Sequence, residues 1–367
     1  MTVDGTKSSG GQRRPDRRAA SVTSHDVARS AGVSQSTVSR ALRGDQRVSA
    51  KTRQHVRAIA EQLAYVPSTI GRSLVTRSTR TLGIVVTDLT SVFYPYVIGP
   101  LHDEVTARGY RMVLFTESVE TDGPPGEETL QPLADRLLDR SIDGVVLTTS
   151  RLDGSVPRNL AARGLPFVFL TRLVDDVAAD SAVVDNSLGA SLATGEAIRL
   201  GHTRMGAIFG PSNTSTGRDR ERGVRAALGA AGIPLADEMV RRGPFTFESG
   251  YGGMMDLLSL TLRPTVVLCA NDTVAIGAFN AARASGVTVP GDLSLVGFDD
   301  LPMAGWEVFQ LTTVHQPMEE MARTATRLLI ERVEGDIAPE AIRRVVLEPT
   351  LVMRQTLARP SDKPDSR

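Results

Sequence analysis

The chain has 367 residues, of which 41% are hydrophobic, and its formal net charge is zero. This length predicts two or three domains with enough apolar surface to bury a core. The first 21 residues contain no apolar run, which excludes a signal peptide and a transmembrane helix there, and their Gly, Ser and Arg content predicts a disordered basic arm. We therefore expect a cytoplasmic protein. Its one cysteine, Cys269, lies in an apolar run and is expected to be a buried structural thiol.

The neutral total hides a separation of charge along the chain. Residues 1–80 contain 15 Lys or Arg against 5 Asp or Glu, a net charge of +10, whereas the other 287 residues contain 27 against 37, a net charge of −10. A domain that neutralises phosphates would concentrate basic residues in this way. An ordinary solvated surface need not separate its charges by domain, so the pattern favours a nucleic-acid partner.

The segment 23–42, TSHDVARSAGVSQSTVSRAL, predicts two short helices joined by a tight turn. Thr23 and Asp26 fit a capping box, and Gly32 suits the left-handed end of that helix. Ser34 then suits the cap of a second helix, which turns Val38, Ala41 and Leu42 inward. The alternative is an ordinary helical hairpin with a polar face. The layout is typical of a helix-turn-helix, whose second helix enters the major groove of DNA.

We expect the second helix to make the base contacts. Gln35 and Ser36 lie at its start and Arg40 one turn later, and Gln can pair with adenine, and Arg with guanine, through two hydrogen bonds. The other DNA-binding candidates in this region, which would bind phosphate or support the turn, are Thr23, Ser34, Thr37, Ser39 and Arg43.

A third helix and a hinge are predicted to follow. An apolar stripe starts after Ser49 and completes a three-helix DNA-binding domain over residues 22–66; its members are Val56, Ile59, Ala60 and Leu63. Residues 67–80 form the predicted hinge helix and linker. Gly71 makes this short helix marginal in water, so we expect it to order only against DNA or a partner chain. Its DNA-binding candidates are Ser68 and Leu74.

From residue 81 onward, apolar runs alternate with helical stretches. Continuous β-branched runs between helices indicate buried parallel strands of an α/β fold. The runs fall into two sets of five, which predict two doubly wound, Rossmann-like subdomains over residues 81–354, followed by a flexible tail at 355–367. Ligands bind such folds beyond the carboxyl ends of the strands, so we expect a cleft between the subdomains. The runs are 81–88, 111–115, 144–147, 166–170 and 182–185, then 205–209, 240–245, 265–269, 293–297 and 312–314.

The sequence lacks the motifs of several kinds of chemistry. No G-x-G-x-x-G follows a strand, and residues 210–218 lack the ending of a phosphate loop, so we interpret them as a ligand-facing loop. The five histidines do not have the spacing of metal ligands, and no serine or cysteine nucleophile motif occurs. We therefore expect neither an enzyme nor a cofactor or metal. The alternatives are a sugar or nucleotide enzyme, which needs a catalytic constellation, and an exported solute-binding protein, which has no use for residues 23–42.

The segment Asp26-Val-Ala-x-x-Ala-Gly-Val-Ser-x-Ser-Thr-Val-Ser-Arg-x-Leu42 resembles the lactose-repressor (LacI/GalR) family of bacterial transcription regulators. Further matches follow in order to residue 354, among them Leu200-Gly-His202 and Gly297-Phe-Asp-Asp300. The resemblance implies a repressor of a pseudo-palindromic operator, with a periplasmic-binding-protein-like core for a small effector. It also implies that Leu74 enters the minor groove. The tail lacks the leucine heptad of tetrameric members, which favours a homodimer. No membrane partner is expected.

The effector site is expected where the strands of both subdomains end. The candidates at strand ends are Asp88, Arg172, Asp185, Asn186, Asn271, Asp272 and Asp299. The resemblance assigns Arg220 to hold the effector, and Phe93 and Phe245 offer flat surfaces for stacking. A guanidinium beside carboxylate and amide acceptors suits vicinal hydroxyls or a purine edge. We favour a sugar, because the acidic and amide groups occur without a phosphate loop.

Overall fold

The computed structural model describes residues 22–65, 78–87, 89–117, 133–139 and 141–361. The chain divides into two compact units between Thr79 and Arg80. The predicted basic arm, Asp88, and the hinge residues Ser68 and Leu74 lie outside the described ranges, so what the sequence predicts for them stays a prediction. Within the described ranges, no helix is both long and apolar enough to cross a membrane.

Capped helices build the first unit over residues 22–65. They are α1 (Ser24–Ala31), α2 (Gln35–Leu42) and α3 (Ala50–Gln62). The backbone N–H of Thr23 donates to the Asp26 carboxylate at 3.0 Å, and the Thr23 hydroxyl accepts the Asp26 N–H at 3.3 Å. Gly32 ends α1 with φ of 63°, and the hydroxyls of Ser34 and Ser49 cap α2 and α3. The predicted capping box, turn and second cap are confirmed.

The apolar faces of these three helices meet in one small core. Its partly buried rim includes the predicted inward residues Leu42, Ile59 and Leu63. Because the residues at its centre are small, the helices can approach closely, while the polar face of α2 stays outside. The buried residues are Val27, Ala28, Ala31, Val38, Ala41, Val48, Val56 and Ala60.

The second unit contains a parallel sheet of six described strands. In spatial order they are β11 (Arg344–Leu347), β5 (Asp180–Val184), β4 (Phe167–Leu170), β3 (Gly144–Leu147), β1 (Thr81–Val86) and β2 (Arg111–Thr116). Leu82 and Ile84 of β1 pack into the core on one face, and Val85 packs into the core on the other. Since both faces are covered, the strand is apolar at nearly every position, as the sequence predicts.

Helices cover both faces of this six-stranded sheet. On one face lie α4 (Tyr94–Ala107) and α11 (Met318–Glu334), which contribute residues such as Leu101 and Met321 to the core. On the other face lie α5 (Leu133–Leu137) and α6 (Ser155–Ala162), which contribute Leu137 and Leu160.

A four-stranded parallel sheet forms the second half of this unit. Its order is β7 (Val240–Arg242), β6 (Met205–Phe209), β8 (Val266–Cys269) and β9 (Ser294–Val296). One face packs on α7 (Asn186–Arg199) and α8 (Ser215–Ala230), and the other packs on α9 (Phe247–Leu258) and α10 (Asp272–Ala284). Cys269 at the end of β8 is a free, buried thiol, as predicted.

The predicted plan of five strands in each subdomain is wrong in two places. The tenth strand, β10 (Thr313–His315), pairs antiparallel with β12 (Thr350–Val352) instead of extending the four-stranded sheet. The strand β11 joins the six-stranded sheet beside β5. Both β11 and β12 are short and partly exposed, so they lack the continuous buried pattern of strands such as β1, β3 and β8.

The predicted flexible tail is wrong for its described part, residues 355–361, which packs on the core through the buried Thr356 and Leu357. Residues 362–367 lie outside the described ranges. The buried His202 ring makes hydrogen bonds of 2.8 Å to the Thr265 hydroxyl and to the Ala358 carbonyl. Burial lowers the pKa of His202, which favours the neutral ring, while the hydrogen bond to Ala358 acts in the opposite direction. These contacts join residues distant in sequence, and the polar composition of the segment does not reveal them.

Glycines allow α9 and α10 to pack backbone against backbone. A Cβ atom added to Gly250 would lie 2.0 Å from the carbonyl oxygen of Val274. A Cβ atom at Gly277 would lie 2.1 Å from the carbonyl oxygen of Phe247. Backbone atoms cannot move aside as a flexible side chain can, so the contact requires glycine on both helices.

Gly250→Ala is therefore expected to lower the free energy of unfolding by about 1–3 kcal/mol through overpacking. Gly252 on the same helix has no atom within 4 Å of an added Cβ. Gly252→Ala is the matched control, and it should be neutral or stabilising by up to about 1 kcal/mol because alanine favours helix. Urea unfolding of both variants makes the comparison; equal effects would contradict the close contact.

Candidate DNA-binding and effector sites

The outer face of α2 carries hydrogen-bonding side chains and one cation. The side chains of Gln35, Ser36, Ser39 and Arg40 are exposed, and that of Thr37 is partly buried. Thr23 and Arg43 flank this face in sequence and are also exposed. The structure therefore leaves the predicted base-reading residues accessible, as a helix that enters the major groove requires.

Local hydrogen bonds organise the start of α2. The Ser34 hydroxyl lies 2.9 Å from the Ser36 hydroxyl and 2.8 Å from the Thr37 hydroxyl. Ser34 and Thr37 thus support the turn, one of the two roles considered for them. The Gln35 amide nitrogen donates to the Ser24 hydroxyl on α1 at 3.0 Å.

In the second unit, α8 places a buried arginine beyond the ends of β8 and β9. The helix is capped by Thr214 and presents Arg220 on its inner side. The Arg220 guanidinium donates to the Asn186 side chain at 2.8 Å, to the Ala270 carbonyl at 2.7 Å and to the Asp299 carboxylate at 3.2 Å. It also stacks 3.6 Å from the centre of the Phe298 ring. These contacts fix its orientation.

Asp299 is held in an unusual backbone conformation. Its φ of 118° and the φ of 55° at Asp300 lie in the left-handed region that favours glycine. Such outliers persist where surrounding contacts impose them, and they concentrate at functional sites. Gln316 donates to the Asp299 carboxylate at 2.7 Å, in addition to the bond from Arg220. The loop after β9 therefore delivers a carboxylate directly to the arginine.

Burial and pairing oppose each other in this cluster. Burial raises the pKa of Asp299, whereas Arg220, Gln316 and Asn271 stabilise its charged form. Burial likewise lowers the pKa of Arg220, and the Asp299 charge acts in the opposite direction. The two groups depend on each other for their charge, so a ligand that contacts one changes the environment of both.

Arg172 extends this cluster toward the other sheet. It follows β4, and its guanidinium carbon lies 5.4 Å from the centre of the Phe245 ring, which follows β7 of the opposite sheet. The next backbone N–H, at Leu173, donates to the Ser215 hydroxyl at the start of α8 at 3.1 Å. The carboxyl ends of the two sheets therefore face each other across one cleft.

Glu117 and Thr149 are further polar residues on this side that were not identified from the sequence. Glu117 follows β2 directly, and its carboxylate accepts a hydrogen bond from Thr149 at 2.6 Å. Burial lowers the pKa of Arg172, while Tyr94, Glu117 and Asp299 favour its charged form. The strand-end position of Glu117 was a usable signal, of the same kind that selected Asp88.

The structure revises two of the predicted effector contacts. Asp272 is fully buried, and its carboxylate accepts the Thr313 hydroxyl at 2.5 Å and the Leu301 N–H at 2.8 Å. Burial raises its pKa well above the ordinary value, and the Asp299 charge adds to this. Both carboxylate oxygens are therefore used internally. Asn271 caps α10 through Val274 at 3.0 Å, but it also reaches Asp299.

The remaining candidates make different kinds of contact in the structure. Asp185 caps α7, accepting the Leu188 N–H at 2.9 Å. Asn186 contacts Arg220 directly, as described above. Phe93 is partly buried and packs edge-on against Tyr94, with 5.7 Å between ring centres. The structure thus brings together Arg172, Asn186, Arg220, Phe245, Asn271 and Asp299.

Comparison with known proteins decides the family. The model of the lacI family of bacterial regulatory proteins matches residues 23–68, and that of the periplasmic binding protein-like domain matches residues 194–357. The ribose operon repressor of Haemophilus influenzae is 33% identical over 337 residues, which are 91% of this chain and 98% of that protein. The chain belongs to the LacI family of bacterial regulatory proteins. A second LacI-family relative, the regulator CelR of Thermobifida fusca, is 34% identical over 90% of this chain and 96% of that protein.

Solved structures of LacI-family proteins show the same fold. The complex of CelR with cellobiose is 32% identical, with a TM-score of 0.69 over 91% of this chain and 99% of that one. The lac repressor dimer bound to operator and the anti-inducer ONPF is 28% identical, with a TM-score of 0.81 over 92% of this chain and 99% of that one. The predicted family and fold class are confirmed. The LacI-family chain is a DNA-binding transcription regulator and not an enzyme or an exported solute-binding protein.

Proposed function

We propose that this regulator is a cytoplasmic, homodimeric repressor of a pseudo-palindromic operator, and that a sugar bound between its two sheets controls operator affinity. The observation that carries the proposal is the buried contact between Arg220 and Asp299, at 3.2 Å, where the carboxyl ends of both sheets meet. A paired donor and acceptor at this position suits a ligand that both donates and accepts hydrogen bonds.

The chemistry of the cluster favours a neutral polyol. Arg220 has five N–H donors, and its bonds to Asn186, Ala270 and Asp299 leave further donors without a partner among the described residues. One hydroxyl of a vicinal pair can donate to Asp299 while its neighbour accepts from Arg220. The relatives support this class of ligand, since one solved structure is a complex of CelR with cellobiose and another relative is a ribose operon repressor.

The position of the ligand indicates how its binding would change the affinity for the operator. A sugar that contacts Arg220 and Asp299 on one sheet, and Arg172 and Glu117 on the other, stabilises one separation of the two sheets over another. The free-energy coupling to operator binding equals the difference in ligand affinity between these states, typically about 1–3 kcal/mol. Phe245, which already stacks on Arg172, offers a flat face to the sugar ring.

A thermal-shift screen tests the ligand class. Sugars and nucleobases are added to the full-length protein, and a sugar at about 100 times its Kd should add about 2.7 kcal/mol to the free energy of unfolding. Stabilisation by a nucleobase and by no sugar would redirect the proposal to a purine ligand, the alternative that the residue types also allow.

A homodimer would bind both half-sites of a pseudo-palindromic operator. A pseudo-palindromic operator is matched by two DNA-binding units related by twofold symmetry. The edge strand β2 exposes two apolar side chains, Val113 and Leu114, which suit burial against a second copy. In each copy, Gln35, Ser36 and Arg40 would contact base edges, and Thr23, Ser39 and Arg43 would contact phosphates.

Gln35→Ala should weaken binding to a selected operator by about 1–3 kcal/mol and relax the base preference at one position of each half-site. The reason is that alanine removes the amide that recognises a base edge. Gln54→Ala is the control, because Gln54 is also exposed but lies on α3. Binding to the operator and its single-base variants is measured by fluorescence anisotropy. Unchanged affinity and preference for Gln35→Ala would remove Gln35 from the base-reading set.

A further inference from the structure

A hydrogen bond joins the first residues of the two helices of the helix-turn-helix. Gln35 is the first residue of α2 and Ser24 the first residue of α1. The Gln35 amide nitrogen, Nε2, donates to the Ser24 hydroxyl oxygen at 3.0 Å. Ser24 has no assigned role in binding, and its side chain is half-buried while that of Gln35 is exposed.

This bond determines which groups of Gln35 remain for DNA. A glutamine amide has two N–H donors on Nε2 and one acceptor oxygen, Oε1. Pairing with two hydrogen bonds uses Oε1 and the N–H on the same side of the amide, so with Ser24 on the other N–H these two groups remain side by side. In the major groove, adenine presents an N6–H donor next to the N7 acceptor, whereas guanine presents two acceptors, O6 and N7. The remaining pair on Gln35 complements adenine and meets guanine with one acceptor facing another.

The bond also lowers the entropy cost of ordering the exposed Gln35 side chain when DNA binds. Glutamine has several rotatable bonds, and ordering it on binding costs conformational entropy. A partner that holds the side chain in its bound orientation before DNA arrives lowers that cost. Ser24 is placed to do this, because its position at the start of α1 is fixed by the neighbouring capping box of Thr23 and Asp26.

We propose that Ser24 is a positioning residue for sequence readout, which orients the Gln35 amide so that Oε1 and the free N–H pair with adenine in each half-site. The inference rests on the base-reading role proposed for Gln35. The alternative role is a phosphate contact, because a hydroxyl at the start of a helix can also bind a phosphate. The two roles predict different dependence on DNA sequence.

The experiment is a double-mutant cycle on full-length protein. An operator is selected from random DNA with the wild type, and every single-base variant of one half-site is then measured against wild type, Ser24→Ala, Gln35→Ala and the double variant. We expect adenine at the base pair whose preference Gln35→Ala relaxes. Ser24→Ala should relax the preference at that same pair by about two- to tenfold, the worth of one hydrogen bond. The double variant should lose little beyond Gln35→Ala alone.

Two controls separate orientation from other effects. Ser24→Thr keeps the hydroxyl and should retain most of the preference, and Ser30→Ala removes an exposed serine of α1 and should change nothing. Melting temperatures confirm that each variant is folded.

Several outcomes would overturn the proposal. A loss from Ser24→Ala that is uniform over all sequences indicates a phosphate contact, and additive effects in the cycle show that the two residues act separately. Guanine in place of adenine at the affected pair shows that the amide is oriented the opposite way. If Gln35→Ala changes no base preference, the base-reading role itself fails, and the inference fails with it. If Gln35→Ala acts and Ser24→Ala does not, only the inference fails.

Discussion

Arg220→Ala is expected to abolish the response of operator binding to the effector. The side chain is buried and makes three hydrogen bonds that hold Asn186, the Ala270 carbonyl and Asp299 in one cluster. Alanine removes the proposed ligand donors and leaves the Asp299 carboxylate buried without its cation, which costs about 3–5 kcal/mol of stability. If the effector is an inducer, operator affinity without ligand should remain close to that of the wild type.

Arg222→Ala is the matched control for this prediction. Arg222 lies on the same helix, α8, but its side chain is 61% exposed and pairs with Asp219 at the surface. That variant should respond to the effector as the wild type does. Asp299→Ala should fail to respond, as Arg220→Ala does. A normal response of both cluster variants at wild-type ligand concentrations would place the effector elsewhere.

Asp180→Ala should cause the largest loss of stability outside the cleft, about 3–5 kcal/mol. The Asp180 side chain is 1% exposed and sits at the start of β5. Arg332 donates to it at 3.0 and 3.1 Å, and Arg343 donates at 2.8 Å from both its backbone and its guanidinium. Removing the carboxylate leaves two largely buried guanidinium groups without their shared partner, and frees the segment that leads into β11.

Asp176→Ala provides the control, because Asp176 also pairs with an arginine, Arg158, but is 66% exposed. A solvent-exposed pair contributes about 0–1 kcal/mol. Urea unfolding at pH 7 measures both variants. Losses of equal size would show that Asp180 is not a structural anchor.

The effect of Asp180 should depend on pH in a defined direction. Burial alone raises the pKa of this carboxyl, but the hydrogen bonds from Arg343 and Arg332 hold it below its usual value. A carboxyl whose folded pKa is lowered stabilises the protein fully above the unfolded pKa of about 3.9, and the contribution is lost as the pH falls through the folded pKa. The stability difference between wild type and Asp180→Ala should therefore shrink below about pH 4.

The sequence predicted the DNA-binding unit well because its signals are local. The capping box of Thr23 and Asp26, the left-handed Gly32 and the cap at Ser34 each involve residues within a few positions of one another. Strands buried on both faces were also found, since their apolar runs are continuous. The strands β11 and β12 were missed, because pairing with β5 and β10 compensates for their short, partly exposed sequences.

Side-chain direction at the cleft could not be predicted in the same way. Asp272 and Asp299 each lie three residues after the end of a strand. The Asp272 carboxylate is nevertheless held in the core, because it accepts hydrogen bonds from the Thr313 hydroxyl and the Leu301 N–H. Those partners lie 41 and 29 residues away in the sequence. The local sequence shows that a residue lies at a strand end. It does not show which residue, distant in sequence, will form a hydrogen bond with its side chain in the folded protein.

The most direct test of ligand control measures the coupling in both directions. Operator affinity is determined with and without the sugar found by thermal shift, and sugar affinity is determined with and without operator. The expected result is a change of about 5- to 150-fold in operator affinity and a change of the same factor in sugar affinity, because the two binding equilibria are linked. Tight sugar binding that leaves operator affinity unchanged would contradict a regulatory role for the cleft.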